Sequence, residues 1–481
     1  MLRRRTVALA MKEEDPGVRE ERAGKELEGC RIALLGLGVE NEALGRYLLS
    51  KGIRFSVRDR VEGDRVRSLR REWGSSVFSW LVGETYLQDL ARFDLVYRTP
   101  GISSLHPELA AARRSGTEVS SQTRLFLDLC PAAILGVTGT KGKGTTASLL
   151  ALALARGPYP QVRLGGNIGL PPISFVEELT RGDLAVVELS SFQLQDLHRS
   201  PAIAVVLNIG TDHLDYHADQ QEYAEAKEAI CRFQTSDNYL VLNADCAATR
   251  RLGEHSPAQL LYFSLAGEVE AGAFAAQGHL WLRRHGARRE QICAIQEVPL
   301  KGRHNVGNAL AAAAAGAAAG ASAEQVAAAI RAMRGLPHRL ELVGLFDGVE
   351  FYDDSLATTP TAALAALQSF ESPIHLVAGG SSKGADFGEL GVGVAAGGVR
   401  SMSLLGDEAE RIAAASKAAG FRGEVRMCES MREAVESARS NAEEGDVVLL
   451  SPACASFGLF ESYSDRGDAF KRLVTGACRR D

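Results

Sequence analysis

No run of about 20 apolar residues occurs in this 481-residue chain, so no helical membrane span is expected. The eight cysteines, at 30, 130, 231, 246, 293, 428, 454 and 478, contain no CxxC pair and no dense framework. That excludes a disulfide-stapled domain or a zinc knuckle and predicts reduced thiols in a cytoplasm. Basic charge is not in excess: the formal net charge is −6 with 24% charged residues, which argues against a surface built to bind nucleic acid. The Arg triplet at positions 3–5 precedes a short apolar stretch that ends at Glu13-Glu14-Asp15, too short for the core of a signal peptide. What is present is 46% hydrophobic residues, enough for full cores in two to four domains of about 100–200 residues each. The expectation is a soluble multidomain protein without a nucleic-acid or membrane partner.

The most informative stretch is Gly136-Val137-Thr138-Gly139-Thr140-Lys141-Gly142-Lys143-Gly144-Thr145-Thr146. The apolar run 132–137 predicts a buried strand before it, and 147–155 a helix after it, so glycine-bearing backbone sits at a helix N-terminus. Successive N–H groups and the helix dipole favour anionic oxygens there. Lys143 adds a point charge, and a threonine hydroxyl can hold Mg²⁺. The usual phosphate-loop pattern has Gly at 137 and Ser or Thr at 144; this chain has Val137 and Gly144, with hydroxyls at Thr145 and Thr146.

Residues 1–28 are charged and aperiodic and predict a mobile tail. A strand at 31–35, the turn Gly36-Leu37-Gly38-Val39-Glu40-Asn41, a helix at 42–50 and a strand at 54–57 before Asp59-Arg60 make a dinucleotide-type βαβ unit. Asn41 replaces the third glycine, so the pattern fits any nucleotide, or a turn that serves packing alone. A strand at 94–97 runs into Thr99-Pro100-Gly101. After Gly165-Gly166-Asn167-Ile168-Gly169, the buried strand 184–187 ends in Glu188-Leu189-Ser190-Ser191-Phe192-Gln193. Glu188 suits either a metal that bridges phosphate oxygens or a helix-capping role. The strand 202–207 leads to Asn208-Ile209-Gly210-Thr211-Asp212-His213, where His213 is either a ligand or a structural histidine. Lys227, within Glu222-Tyr223-Ala224-Glu225-Ala226-Lys227-Glu228, reads locally as a solvated ion pair on a helix face. The stretch 250–296 reads as an irregular, partly stranded excursion, and an Ala-rich helix follows Gly302. Further strands at 349–352, 374–378 and 447–450 end in Asp353-Asp354-Ser355, Gly379-Gly380-Ser381 and Ser451-Pro452-Ala453. The chain thus reads as α/β, three units in tandem, with ligand contacts on the loops at strand ends.

Nine ordered motifs together resemble the Mur ligases over about residues 30–475: GTKGKGTT (139–146), GGNIGLP (165–171), VVELSSFQL (186–194), NIGTDHLDYH (208–217), GRHNVGNALAA (302–312), GLPHRLELV (335–343), DDSLATTP (353–360), GGSSKGADF (379–387) and LLSPACASFGLFESYSDRG (449–467). The resemblance implies a three-domain α/β architecture. A Rossmann-like domain at 29–130 would bind the UDP substrate, a P-loop ATPase-like domain at 131–335 would bind ATP, and a Rossmann-like domain at 336–481 would bind the amino acid. It implies a monomeric cytoplasmic enzyme that uses ATP and two Mg²⁺ to join D-glutamate to UDP-N-acetylmuramoyl-L-alanine through an acyl phosphate, in peptidoglycan precursor synthesis. Closure of the third domain over the second would exclude water from that intermediate.

By the same resemblance, Gly38, Asp59, Arg60 and Gly101 would meet the uridine diphosphate end, and Asn167, Ser190, Gln193 and His213 the rest of that substrate. Gly139, Thr140, Lys141, Gly142, Lys143, Gly144, Thr145, Thr146, Asn305, Asn308, Arg339 and Asp354 would bind ATP. Thr145, Glu188 and His213 would be Mg²⁺ ligands, joined by Lys227 if that lysine is carbamylated. Thr358 and Lys383 would hold one carboxylate of the amino acid, and Ser456 with Phe457 and Tyr463 the other. Lys143, Glu188, His213, Lys227 and Lys383 would carry the chemistry. Two positions depart from the family pattern: Gly144 replaces Ser or Thr, and Leu356 replaces a lysine. They keep three alternatives open: a folylpolyglutamate-synthase-like ligase, an L-glutamate-adding variant, and a non-catalytic nucleotide-binding relative. A nicotinamide dehydrogenase, suggested by Gly36 and Gly38, leaves the phosphate loop unexplained.

Overall fold

Short apolar strands that alternate with helices bury both faces, and here they assemble into three mostly parallel sheets. The protein is described by a computed structural model covering residues 27, 29–210, 219–300, 302–333, 335, 337–381, 385–396, 398–456 and 458–477. The expected tail at 1–28 therefore lies almost wholly outside the described residues, as do His213, Lys383 and Phe457.

The first sheet contains β1 (Ile32–Leu35), β2 (Phe55–Asp59), β3 (Val77–Val82), β4 (Leu95–Arg98) and β5 (Glu118–Ser120). Their order is β3-β2-β1-β4-β5, all parallel. The order reverses between β1 and β4, which opens a crevice at their carboxyl ends, where ligands of open α/β sheets lie. Helix α1 (Val39–Ser50) starts in that crevice and buries Leu44 and Leu48, one turn apart, while α2 (Gln122–Leu129) leads to the next sheet.

The second sheet holds β6 (Ala133–Thr138), β7 (Val162–Gly166), β8 (Leu184–Glu188), β9 (Ile203–Val206), β10 (Tyr239–Asn243), β11 (Gln259–Ser264), β12 (Gly272–Ala276), β13 (His279–Arg283) and β14 (Glu290–Ala294). Strand β6 sits between β8 and β9, all parallel, and the last two strands turn antiparallel. Helix α3 (Lys143–Leu154) follows β6, α4 (Gln220–Glu228) precedes β10, and α5 (Arg303–Ala318) is buried along most of its length. The stretch 250–296 departs from the irregular reading: it completes a helix, Ala247–Glu254, and then supplies four regular strands. In β13, Leu280 and Leu282 are buried and alternate with half-buried His279, Trp281 and Arg283, a period-2 pattern too short to stand out among its charged neighbours.

The third sheet, β15 (Glu341–Phe346), β16 (Val349–Asp353), β17 (Ile374–Gly379), β18 (Val399–Leu405), β19 (Glu424–Cys428) and β20 (Val447–Leu450), runs β15-β16-β20-β17-β18-β19. Only β15 is antiparallel to its neighbour. Helix α6 (Tyr463–Ala477) packs beneath this sheet through Phe470 and Val474. The chain forms two compact units: one runs to Val298 and takes in His304–Ala332, and the other comprises Pro299–Arg303 and the chain from Met333 on. Among the described residues no helix is long and apolar enough to cross a membrane, and the seven described cysteines are free thiols.

Candidate active site

The β6-to-α3 loop forms the cradle that its glycines require. Gly142, the N-cap of α3, has φ +89°, and a Cβ there would come within 2.2 Å of Asn308 Oδ1. The turn therefore needs glycine both for its backbone and for its closeness to α5. Asn308 in turn donates from Nδ2 to Asn305 Oδ1 (3.0 Å), so the two asparagines of that helix sit together against the loop.

Asn208, just beyond β9, clamps the loop from the other side. Its carbonyl accepts from Thr140 N (3.0 Å), its Oδ1 from Lys141 N (2.9 Å), and its Nδ2 donates to Lys141 O (3.0 Å). Thr140 Oγ1 accepts from Gly210 N (2.9 Å) and lies 3.1 Å from the Tyr223 hydroxyl. Asn208 was legible only as the first residue of a motif, and Tyr223 gave no signal.

Two lysines converge on the carbonyl of Gly139. Lys143 Nζ donates to Gly139 O (2.9 Å) and Thr140 O (3.1 Å). Lys227 Nζ donates to Gly139 O (3.2 Å) and lies 4.6 Å from the centre of the Tyr223 ring. Lys227 is 1% exposed, which corrects the local reading of a solvated ion pair. The helix face it occupies is turned inward, toward the phosphate loop.

Parallel pairing puts Glu188 beside Val137, at the base of the loop. Glu188 is 3% exposed; its Oε1 accepts from Asn167 Nδ2 (3.2 Å), and its Oε2 has no hydrogen-bond partner among the described residues. The buried Thr146 hydroxyl is likewise unpartnered, and Thr145 precedes it on the same helical turn. Orphaned carboxylate and hydroxyl oxygens beside a phosphate cradle are the donors a hard divalent cation takes, so these residues fit Mg²⁺.

In the first sheet, Asp59 uses both carboxylate oxygens on backbone: Oδ2 accepts from Leu37 N (2.6 Å) and Oδ1 from Val61 N (3.0 Å). Asn41 donates from Nδ2 to the carbonyls of Leu35, Gly36 and Tyr97, joining the ends of β1 and β4. Arg60 and Gly101 are exposed at that edge, and Gly38 caps α1. Ser190 and Gln193 form a reciprocal capping box, and Gln193 Nε2 donates to Glu40 Oε1 (2.7 Å). Gln122 Nε2 donates to Glu40 Oε2 (3.1 Å), and burial holds the Glu40 carboxyl above its ordinary pKa. Sequence reading did not single out Glu40, because both amides that hold it are remote in the chain.

In the second unit, Asp354 accepts from Ser451 Oγ (2.7 Å) and Leu340 N (3.2 Å), and burial raises its pKa to about 7. Arg339 is exposed beside it and partly opposes that rise. Thr358 is half-buried after β16, Ser456 is buried after β20, and Tyr463 is exposed at the start of α6.

Residues 30–121 match the Mur ligase MurD-like N-terminal domain, 137–316 the Mur ligase middle domain, and 338–454 the Mur ligase glutamate ligase domain. The chain belongs to the Mur ligase family. Within it, the chain is 42% identical over 446 residues to the UDP-N-acetylmuramoylalanine--D-glutamate ligase of Symbiobacterium thermophilum, covering 92% of this chain and 97% of that one. It is 37% identical to the enzyme of the same name from Acetivibrio thermocellus, covering 94% and 97%. Among solved structures, MurF from Acinetobacter baumannii superposes with a TM-score of 0.58 at 17% identity, covering 95% of this chain and 98% of that one. The MurF ligase of Thermotoga maritima, solved in complex with ADP, superposes with a TM-score of 0.52 at 16% identity, covering 94% and 97%. Both bear out the three-domain α/β fold.

Proposed function

We propose that this chain joins D-glutamate to UDP-N-acetylmuramoyl-L-alanine, with release of ADP and phosphate, as a monomer in the cytoplasm. It is an ATP-dependent amide-bond-forming ligase of peptidoglycan precursor synthesis. The observation that carries this reading is the convergence of Lys143, Lys227 and the unpaired Glu188 oxygen on the phosphate loop, in a chain that is similar to relatives of that name over 92% or more of its length.

In this reading the alanyl carboxylate attacks the γ-phosphoryl group of ATP. The amine of D-glutamate then attacks the acyl phosphate, and phosphate leaves from the tetrahedral intermediate. The protein supplies position and charge. The N–H groups of the loop where it enters α3 and the Lys143 ammonium hold the phosphates within residues 139–146, and Asn305 and Asn308 line the nucleotide side, with Arg339 and Asp354 as its further contacts. Thr145 would hold a first Mg²⁺, and Glu188, His213 and a carbamylated Lys227 would hold a second; bound there, the ions would neutralise phosphate charge. Asn167, Ser190, Gln193 and His213 orient the muramoyl substrate, whose uridine diphosphate end meets Gly38, Asp59, Arg60 and Gly101. Thr358, Lys383, Ser456, Phe457 and Tyr463 receive the amino acid. The domains are read as 29–130, 131–335 and 336–481.

The test is phosphate release from ATP and Mg²⁺ with UDP-N-acetylmuramoyl-L-alanine, comparing D-glutamate, L-glutamate and no amino acid. Release with D-glutamate alone is the expected result. Release with L-glutamate instead would change the acceptor, and no release in any arm would overturn the reading.

A further inference from the structure

Arg466, on the first turn of α6, is 1% exposed. A buried guanidinium ordinarily faces a carboxylate. Among the described residues this one forms no ion pair, and its hydrogen bonds go to neutral acceptors. Nε donates to Ser355 Oγ (2.9 Å) and Nη2 to Ser355 O (2.8 Å); Nη1 donates to Cys454 O (3.1 Å) and, at the limit of contact, to Gly379 O (3.5 Å). The nearby carboxylates are engaged elsewhere: Asp353 with His338 Nδ1 (2.8 Å), and Asp354 with Ser451 and Leu340.

The three residues it grips lie at or just past the carboxyl ends of three adjacent strands, β16, β20 and β17. The chain closes tightly around it. Gly380 has φ +149°, and a Cβ there would meet Ala455 O at 2.2 Å and Arg466 Nη1 at 3.1 Å. Two of the gripped loops carry amino-acid anchors, Thr358 three residues after Ser355 and Ser456 two after Cys454. The first of these loops adds no charge at Leu356.

We propose that Arg466 is the positioning residue that makes the acceptor site select a dicarboxylic amino acid: it fixes the two anchor loops and holds beneath them a buried positive charge to which no carboxylate is hydrogen-bonded among the described residues. Four of its five N–H donors go to carbonyls and a hydroxyl, and it is 1% exposed, so it acts through the loops and through its field rather than by touching substrate. Burial lowers its pKa to about 10, a fall that the Asp353 carboxylate partly opposes, so it stays cationic at neutral pH. This inference rests on the glutamate-ligase reading above.

The experiment uses the full chain, Arg466→Gln, Arg466→Lys and Ser355→Ala, assayed by phosphate release. Three KM values are measured, together with the kcat/KM ratio for D-glutamate over D-glutamine. Arg466→Gln is expected to raise the D-glutamate KM and to reduce the glutamate preference, each about tenfold, with the KM values for ATP and the UDP substrate within about twofold. Arg466→Lys, which keeps the charge, restores most of the preference. Ser355→Ala, which keeps the cation but loosens its grip, raises the D-glutamate KM alone by about threefold, and decides the matter if Arg466→Gln does not fold. An unchanged preference in Arg466→Gln, or a Ser355→Ala variant that raises all three KM values together or none, overturns the inference. The unsubstituted protein separates the two readings: without D-glutamate-dependent release it is the function that fails, and with release but an unmoved preference only the role of Arg466 fails.

Discussion

Asn208 makes three hydrogen bonds to the phosphate loop and none of them needs a ligand, so the loop is held in shape before nucleotide arrives. Asn208→Ala removes the two side-chain bonds, each worth about 1 kcal/mol net. The expected result is a roughly tenfold rise in the KM for ATP with the D-glutamate KM unchanged, read by steady-state phosphate release. Asp354 is a different case, since its carboxyl is raised from 3.8 to about 7 by burial. The folded protein therefore holds this proton more tightly than the unfolded chain does. Its contribution favours the fold at low pH and is lost as pH rises from about 4 to about 7, at roughly 1.4 kcal/mol per unit. Asp354→Asn is expected to flatten that fall: thermal melts at pH 5 and pH 8 should differ less in the variant than in the parent. An equal pH dependence in both would remove Asp354 as its source.

At the scale of elements, the loop between β6 and α3 works because two of its residues, Gly139 and Gly142, hold positive-φ conformations that favour glycine and because α5 lies against it. Gly142→Ala would place a methyl group where Asn308 Oδ1 stands and would strain a positive-φ residue. The fold around β6 is secured by its neighbours β8 and β9, so the damage should stay local. Nucleotide binding is expected to weaken by at least about tenfold while far-ultraviolet circular dichroism is unchanged, measured by titration with a fluorescent ATP analogue. The same logic explains Asn41. Where a dinucleotide fold uses a third glycine for close packing, this side chain ties the ends of β1 and β4 by three hydrogen bonds, so the turn has a structural role whatever it binds.

At the scale of the molecule, the first and second sheets share one compact unit, crossed by a buried ion pair. Arg98 Nε donates to Asp196 Oδ1 (3.2 Å) and Nη2 lies 2.8 Å from Oδ2, with side chains 1% and 3% exposed. Arg98 also donates to the carbonyls of Ile102 (2.7 Å) and Phe192 (3.0 Å). Arg98→Met leaves the Asp196 charge buried and unpaired, a loss of about 3–5 kcal/mol that a denaturant midpoint should register.

What the sequence determined by itself was whatever chemistry is contiguous. The strand, glycines, Lys143, threonines and helix of the phosphate loop lie within a few residues of one another, so local spacing fixes their geometry. The polar residues after each strand were legible for the same reason, because strands end where burial ends. Tertiary structure alone decided Lys227, whose neighbours in sequence read as a solvated helix face and whose partner carbonyl is 88 residues away. It alone joined Glu40 to Gln193 across 153 residues and Arg466 to Ser355 across 111. The physical reason is that these contacts depend on which strands lie side by side. Strand order is set by the packing of whole elements, and no local period records it.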